Sequence, residues 1–338
     1  MEDRSAAYET TDLSMARYAF SRLGIAMFVM LIVTYGIQIL VGVVAGIAHI
    51  RDTVMLLVLS YVPMYCIAFP AAYLIIRTVP KHPLEQQSVG AGRYLRMLVI
   101  CFFLMYGGNL FGNLVNTAIS DMLGISISDP VESLVMSDIP MQALFVLTVI
   151  LAPVFEELFF RKLLIDRMAV YGQGTAVITT AMMFGLFHGN LSQFFYAMAL
   201  GLVFGYIYVK TGKLRYTICL HMFINLWGGV ISGSFVTDKN ISALVNGDID
   251  PENISELFRM ITPKVALFFL YSLATLVLAV VGLVLAIKHR RRISLDTAGM
   301  QLPKGSAFRT AWLNPGMILF TVACLALMGF TIFSSRLL

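Results

Sequence analysis

The sequence predicts an all-α fold, a polytopic transmembrane helical bundle of about 8–9 spans with a functional core in spans four to seven. Three observations carry this. The 338 residues are 59% hydrophobic and only 13% charged, with a mean hydropathy of +0.83, too apolar for a water-soluble domain of this length. Apolar runs recur at the length of about 20 residues that a helix needs to cross the hydrocarbon core. Most of the 24 Lys and Arg fall in alternate connections between those runs, as cytoplasmic loops require.

The runs are taken in chain order. The first, Phe20 to Ile50, follows the acidic residues Glu2, Asp3, Glu9 and Asp12 and is longer than the core of a signal peptide, so it reads as an uncleaved span. Thr53 to Ile76 and Tyr94 to Ile119 are the second and third, and Met141 to Ile165 is the fourth. Gly174 to His188, the fifth, is too short to cross completely. Leu191 to Val209, Leu214 to Phe235, Lys264 to Ile287 and Asn314 to Phe333 complete the set. The depth pattern divides the chain into 1–140 with three spans, a core over 141–235, and 236–338 with an outer loop and two further spans.

Counting Lys and Arg places the N-terminus in the cytoplasm. The opposite side holds Arg51, Lys239, Arg259, Lys264 and Arg336, and its long loops are acidic: Asp121, Asp129, Glu132 and Asp138 in one, Asp238, Asp248, Asp250, Glu252 and Glu256 in the other. A bacterial plasma membrane is the expected setting. The pI near 9.0 follows from membrane anchors, so nucleic acid is not an expected partner. Arg161, Lys162, Arg167, Lys210, Lys213 and Arg215 are expected to ring the inner turns as anchors, where they could also guide an acidic substrate segment. Cys66, Cys101, Cys219 and Cys324 all sit in apolar runs, without metal or disulfide spacing, and read as packing residues.

The first three spans and the last two hold little chemistry in their interiors. Span four carries Glu156 and Glu157 inside an apolar helix, five and four residues before Arg161 respectively. Burying such groups costs several kcal/mol on the bilayer insertion scales, so they face the bundle interior. Glu157 and Arg161 share a helix face and could simply pair; Glu156 points about 100° away with no basic residue at a pairing offset, and is the stronger catalytic candidate. Span five ends Phe184-Gly-Leu-Phe-His188, and span seven carries His221-Met-Phe-Ile-Asn225. If spans four and five turn at Tyr171 to Gly174, Glu157 and His188 both stand about 21 Å from the turn at 1.5 Å per residue. His221 and Asn225 then lie about 12 and 18 Å beyond the Thr211 to Lys213 turn, and the polar positions converge on one layer.

In that order and spacing, Glu156-Glu157-x-x-x-Arg161, Phe184-x-x-x-His188 and His221-x-x-x-Asn225 resemble the motif set of the CPBP intramembrane proteases, which include the type II CAAX prenyl endopeptidases and bacteriocin-processing or self-immunity proteins. The resemblance covers about Met141 to Phe235. It implies a membrane enzyme acting on a membrane-associated or lipidated peptide or protein. Glu156 and His188 would activate water, with Glu157 beside them; His221 and Asn225 would form the oxyanion site or hold the geometry, and Arg161 and Phe184 would support them. It leaves open whether His188, His221 and Glu156 hold zinc or another divalent ion, or whether the site works metal-free through its glutamate. Two other classes remain as alternatives: a transporter or channel, whose intramembrane carboxylates mark a path, and a non-catalytic immunity or scaffold protein. A single polar cluster with no counterpart in the other half of the chain favours the enzyme.

Overall fold

The computed structural model describes residues 13–127, 139–247, 260–296 and 300–334. The acidic loop residues Asp129, Glu132, Asp138, Asp248, Asp250, Glu252 and Glu256 lie outside these, as do Arg259, Arg336 and the N-terminal acidic residues. All described elements are helical. Among the described residues, eight helices have the length and apolarity to cross a membrane: α1 Leu13–Ile47, α2 Thr53–Ile76, α3 Ala91–Leu123, α4 Met141–Tyr171, then α6 Leu191–Thr211, α7 Leu214–Val236, α9 Pro263–Arg292 and α11 Pro315–Phe333. The short α5, Gln173–Phe187, has 15 residues, as the fifth run anticipates. Two small helices, α8 Lys239–Asn246 and α10 Ala307–Trp312, sit at the bundle ends. The chain is thus an integral membrane protein.

Helix starts follow local chemistry. Asp52 accepts from the Met55 N–H at 2.7 Å at the head of α2, and Thr262, followed by Pro263, accepts from Val265 N–H at 3.2 Å at the head of α9. Each satisfies a backbone donor that the first turn leaves open. The outer helices keep their apolar side chains on the surface: Leu267, Phe269, Leu270, Leu273, Val277 and Val284 of α9 are all exposed. In lipid that is the favourable side, because acyl chains solvate it and the helix satisfies its own backbone.

α6 packs along α5 on one side and α3 on the other, α9 lies outside α3, and α1 packs against α2 and α11. The α1–α11 crossing is a backbone approach. A Cβ on Gly24 would meet the backbone of Gly316 and Met317, and one on Gly316 would meet Ser21 and Ile25. Small residues let helices approach in lipid, where no hydrophobic drive pulls them together. Gly24→Val is therefore expected to lower stability by about 1–3 kcal/mol or more, read as a drop in Tm in detergent or bicelles; an unchanged Tm would contradict this packing.

Below the core, a strap crosses the α4–α5 turn. Met300 and Leu302 donate N–H bonds to the Val170 and Tyr171 carbonyls at 3.2 and 3.3 Å, and Lys210 Nζ bonds Asp296 Oδ2 at 2.9 Å. The hydrogen bond from Lys210 holds the Asp296 carboxyl below its ordinary range. Lys213 Nζ donates to Ser88 Oγ at 2.9 Å. The expected ring of anchors is not uniform: Arg161 and Arg167 are buried, at 0% and 6% exposure. Arg167 Nε bonds the Ile76 and Val79 carbonyls at 2.9 and 3.0 Å, ending α2 on α4. Arg167 serves the interior because backbone carbonyls replace its water, and Arg161 because the Glu157 carboxylate stands beside it at 3.1 Å.

Candidate active site

Backbone geometry singles out the site before any side chain does. Four π-helical stretches occur among the described residues: Met64–Ala68 in α2, Phe145–Leu151 and Leu158–Ile165 in α4, and Leu226–Ile231 in α7. Two flank Glu156 and Glu157, and one begins directly after Asn225. A π turn carries an extra residue and is found mostly at functional sites. It also makes a depth count at 1.5 Å per residue inexact along α4, since Leu158–Ile165 lies between Glu157 and the turn.

The structure joins spans four and seven at one level. His221 lies between the two carboxylates: its Nδ1 is 3.0 Å from Glu157 Oε1, and its Nε2 is 3.7 Å from Glu156 Oε2. Glu157 is 0% exposed, and its second oxygen meets Arg161 Nε at 3.1 Å. The two glutamates are therefore in different situations. Glu157 is committed on both oxygens to neighbouring cations or donors, while the Glu156 side chain keeps 27% exposure.

Arg161 is wrapped in aromatic faces. Its guanidinium carbon lies 4.9 Å from the Phe184 ring centre, 5.4 Å from Phe204 and 6.0 Å from Phe160. Its nitrogens find no protein hydrogen-bond acceptor among the described residues; the Glu157 contact is off-axis. Ring quadrupoles attract a desolvated cation by about 2 kcal/mol, so the charge is held by Glu157 and three π faces. Phe184 and Phe204 also pack against His221, with centroids 5.8 and 5.4 Å away.

His188 ends α5. Its Nδ1 is 2.8 Å from the Phe184 carbonyl, and because a carbonyl only accepts, Nδ1 carries the proton and Nε2 is left as an acceptor. The Glu156 charge acts on this ring. The turn that follows needs Gly189, at φ +67 and against Leu327. Asn190 closes it: its Nδ2 donates to the His188 carbonyl at 2.9 Å, and its Oδ1 accepts from the Gln193 N–H at 2.9 Å. A helix break at depth is tolerated when its polar backbone is met this way.

Asn225 is spent differently from the other motif residues. Its Nδ2 donates to the Thr148 carbonyl at 2.8 Å, tying α7 to the π stretch of α4. Sequence reasoning placed Asn225 in the layer but did not foresee Thr148, nor Phe204 from α6. It also gave the first three spans no part, yet Tyr65 of α2 stacks on Phe155, with centroids 4.1 Å apart. Pro63 within that span was the available signal.

A divalent ion would need His188, His221 and Glu156 as ligands. Among the described residues no group of three or more His, Cys, Asp or Glu side chains is arranged to hold an ion.

The sequence is similar to known proteins over this core. Residues 139–227 match a family model described as type II CAAX prenyl endopeptidase Rce1-like. Over that stretch the chain is similar to the type II CAAX prenyl endopeptidase family. Every motif residue from Glu156 to Asn225 falls inside the matched stretch, whereas Tyr65 lies outside it. The chain is also 25% identical over 158 residues to "Putative membrane peptidase YdiL" of Bacillus subtilis (strain 168), an alignment covering 45% of this chain and 62% of the relative's length. No solved structure matches the chain.

Proposed function

We propose that the CPBP core hydrolyses a peptide bond of a membrane-associated or lipidated protein, with Glu156 as the base for water and without a resident metal. The observation that carries this is His221 set between a fully buried Glu157 and a partly exposed Glu156. Glu157 and Arg161 fix the His221 ring; Glu156 is left free to exchange a proton.

Water held by Glu156 and the free Nε2 of His188 gives one proton to the carboxylate as its oxygen attacks the peptide carbonyl carbon. The carbonyl electron pair moves onto oxygen. Collapse of the tetrahedral intermediate breaks the C–N bond, and the proton on Glu156 passes to the leaving nitrogen. Donors on the developing oxyanion come from the site's polar rim, where Asn225 keeps one N–H beyond its bond to Thr148, and a dry surround strengthens each such contact.

Chelation tests the metal-free reading. Purified protein in liposomes, treated with 1,10-phenanthroline and freed of the chelator, is expected to cleave a membrane-embedded peptide at its original rate and to contain no stoichiometric metal by mass spectrometry. Activity lost on chelation and restored by added zinc would overturn it.

A further inference from the structure

The motif residues come from α4, α5 and α7, yet a fourth wall of the site comes from α2. Pro63 lacks an N–H, and the π stretch Met64–Ala68 follows it at once. The ring of Tyr65, inside that stretch, stacks on Phe155 at 4.1 Å with 19° between planes. Phe155 directly precedes Glu156. Phe69, one turn on, sets its edge against Phe155 at 5.7 Å and Phe159 at 5.0 Å, so the α2–α4 register is fixed on either side of the carboxylate. The Glu156 charge acts on the Tyr65 phenol and on Tyr61 one turn away. The Tyr65 oxygen makes no hydrogen bond to the described residues.

Glu156 in turn lacks a close donor from the other three helices. The ring nitrogen His221 Nε2 stands at 3.7 Å, beyond hydrogen-bond range. A water there would donate to Glu156 and to His188 Nε2. It still needs one donor to fix its orientation and one lone pair left free to attack.

We propose that Tyr65 is the third anchor of the reacting water, its phenol donating to the water oxygen from the α2 side of the site. The water then donates one O–H to Glu156 and the other to His188 Nε2, accepts from Tyr65, and points its remaining lone pair at the substrate carbonyl. The bonds made and broken are those of the hydrolysis above; Tyr65 keeps its proton throughout. The assignment rests on the proteolytic reading of the same site.

Tyr65→Phe keeps the stacked ring and removes only the donor. In the liposome assay kcat is expected to fall about 10- to 100-fold, KM to stay within about twofold, and Tm to be unchanged, because proton-transfer and positioning groups of this kind contribute at that scale. A kcat within about twofold of wild type would overturn the proposal, as would equal loss in kcat and Tm. A 3,5-difluorotyrosine at position 65 supplies the second readout, since its more acidic phenol loses the donor proton at lower pH. The basic limb of the kcat profile should then move to lower pH; an unmoved limb contradicts a donor role. The groups facing this water are Glu156 and Arg161 on α4, His188 on α5, His221 on α7 and Tyr61 on α2, and the fluorinated residue alters none of them. Glu156→Gln is assayed beside both. Retained cleavage there removes Glu156 as the base, no cleavage by the wild type sinks the proteolytic reading itself, and loss in Glu156→Gln together with an active Tyr65→Phe sinks only the role of Tyr65.

Discussion

Glu156→Gln is expected to abolish peptide cleavage, lowering kcat by about 10²–10⁴-fold or more, while leaving the thermal stability of the folded protein close to wild type. The asymmetry between the two glutamates is the reason. Glu156 is 27% exposed at the side chain and has no direct hydrogen bond from His221 across 3.7 Å, so an amide of the same shape costs the fold little. It cannot take a proton from water. The initial rate on a membrane-embedded peptide, with Tm measured on the same preparation, separates chemistry from folding. A variant with near-wild-type kcat would remove Glu156 as the base.

The neighbouring carboxylate should behave in the opposite way. Glu157→Ala is expected to destabilise the protein by about 3–5 kcal/mol, because it strands Arg161 at 0% exposure without its counter-charge. The rings of Phe184, Phe204 and Phe160 return part of that charge stabilisation, though they give the guanidinium nitrogens no acceptor to donate to. His221 also loses the partner of its Nδ1, so its ring is freed to turn and activity falls with stability. The double variant Glu157→Ala, Arg161→Met removes both charges, and a buried pair replaced by apolar groups is often near neutral. Its Tm is therefore expected to recover most of the loss while cleavage stays impaired. Tm values of the single and double variants give the coupling directly; additive losses would show that the pair is not coupled.

Much of this could be read from the chain before any coordinates. Span positions follow from apolar runs, and the second run, Thr53 to Ile76, coincides with α2 at both ends because Asp52 caps one end and the charged Arg77 stops the other. Counting residues to the turns puts Glu157 at about 21 Å and His221 at about 12 Å from two different turns, so their 3.0 Å contact was not itself legible. The local backbone was not legible. A 3.6-residue period cannot foresee four π stretches, since the same apolar residues suit either winding and tertiary packing decides. Nor could a residue count show that Tyr65 of α2 stacks on Phe155, because the approach of two helices distant in sequence leaves no periodic trace. Arg167 was misread as a rim anchor for a related reason, and of the two readings of Arg161 the pairing with Glu157 is the one the structure shows. Charge near a span end looks the same in sequence whether water or a buried acceptor receives it.

The central claim is that α4, α5 and α7 bring one acid and two imidazoles to a single reacting water. Its most direct test is mass spectrometry of a defined lipidated or membrane-spanning peptide incubated with the wild-type protein in liposomes, beside Glu156→Gln, His188→Ala and His221→Ala of matched Tm. The account expects two complementary fragments from wild type and an intact peptide from each of the three variants. Fragments released at the wild-type rate by all three variants would contradict it.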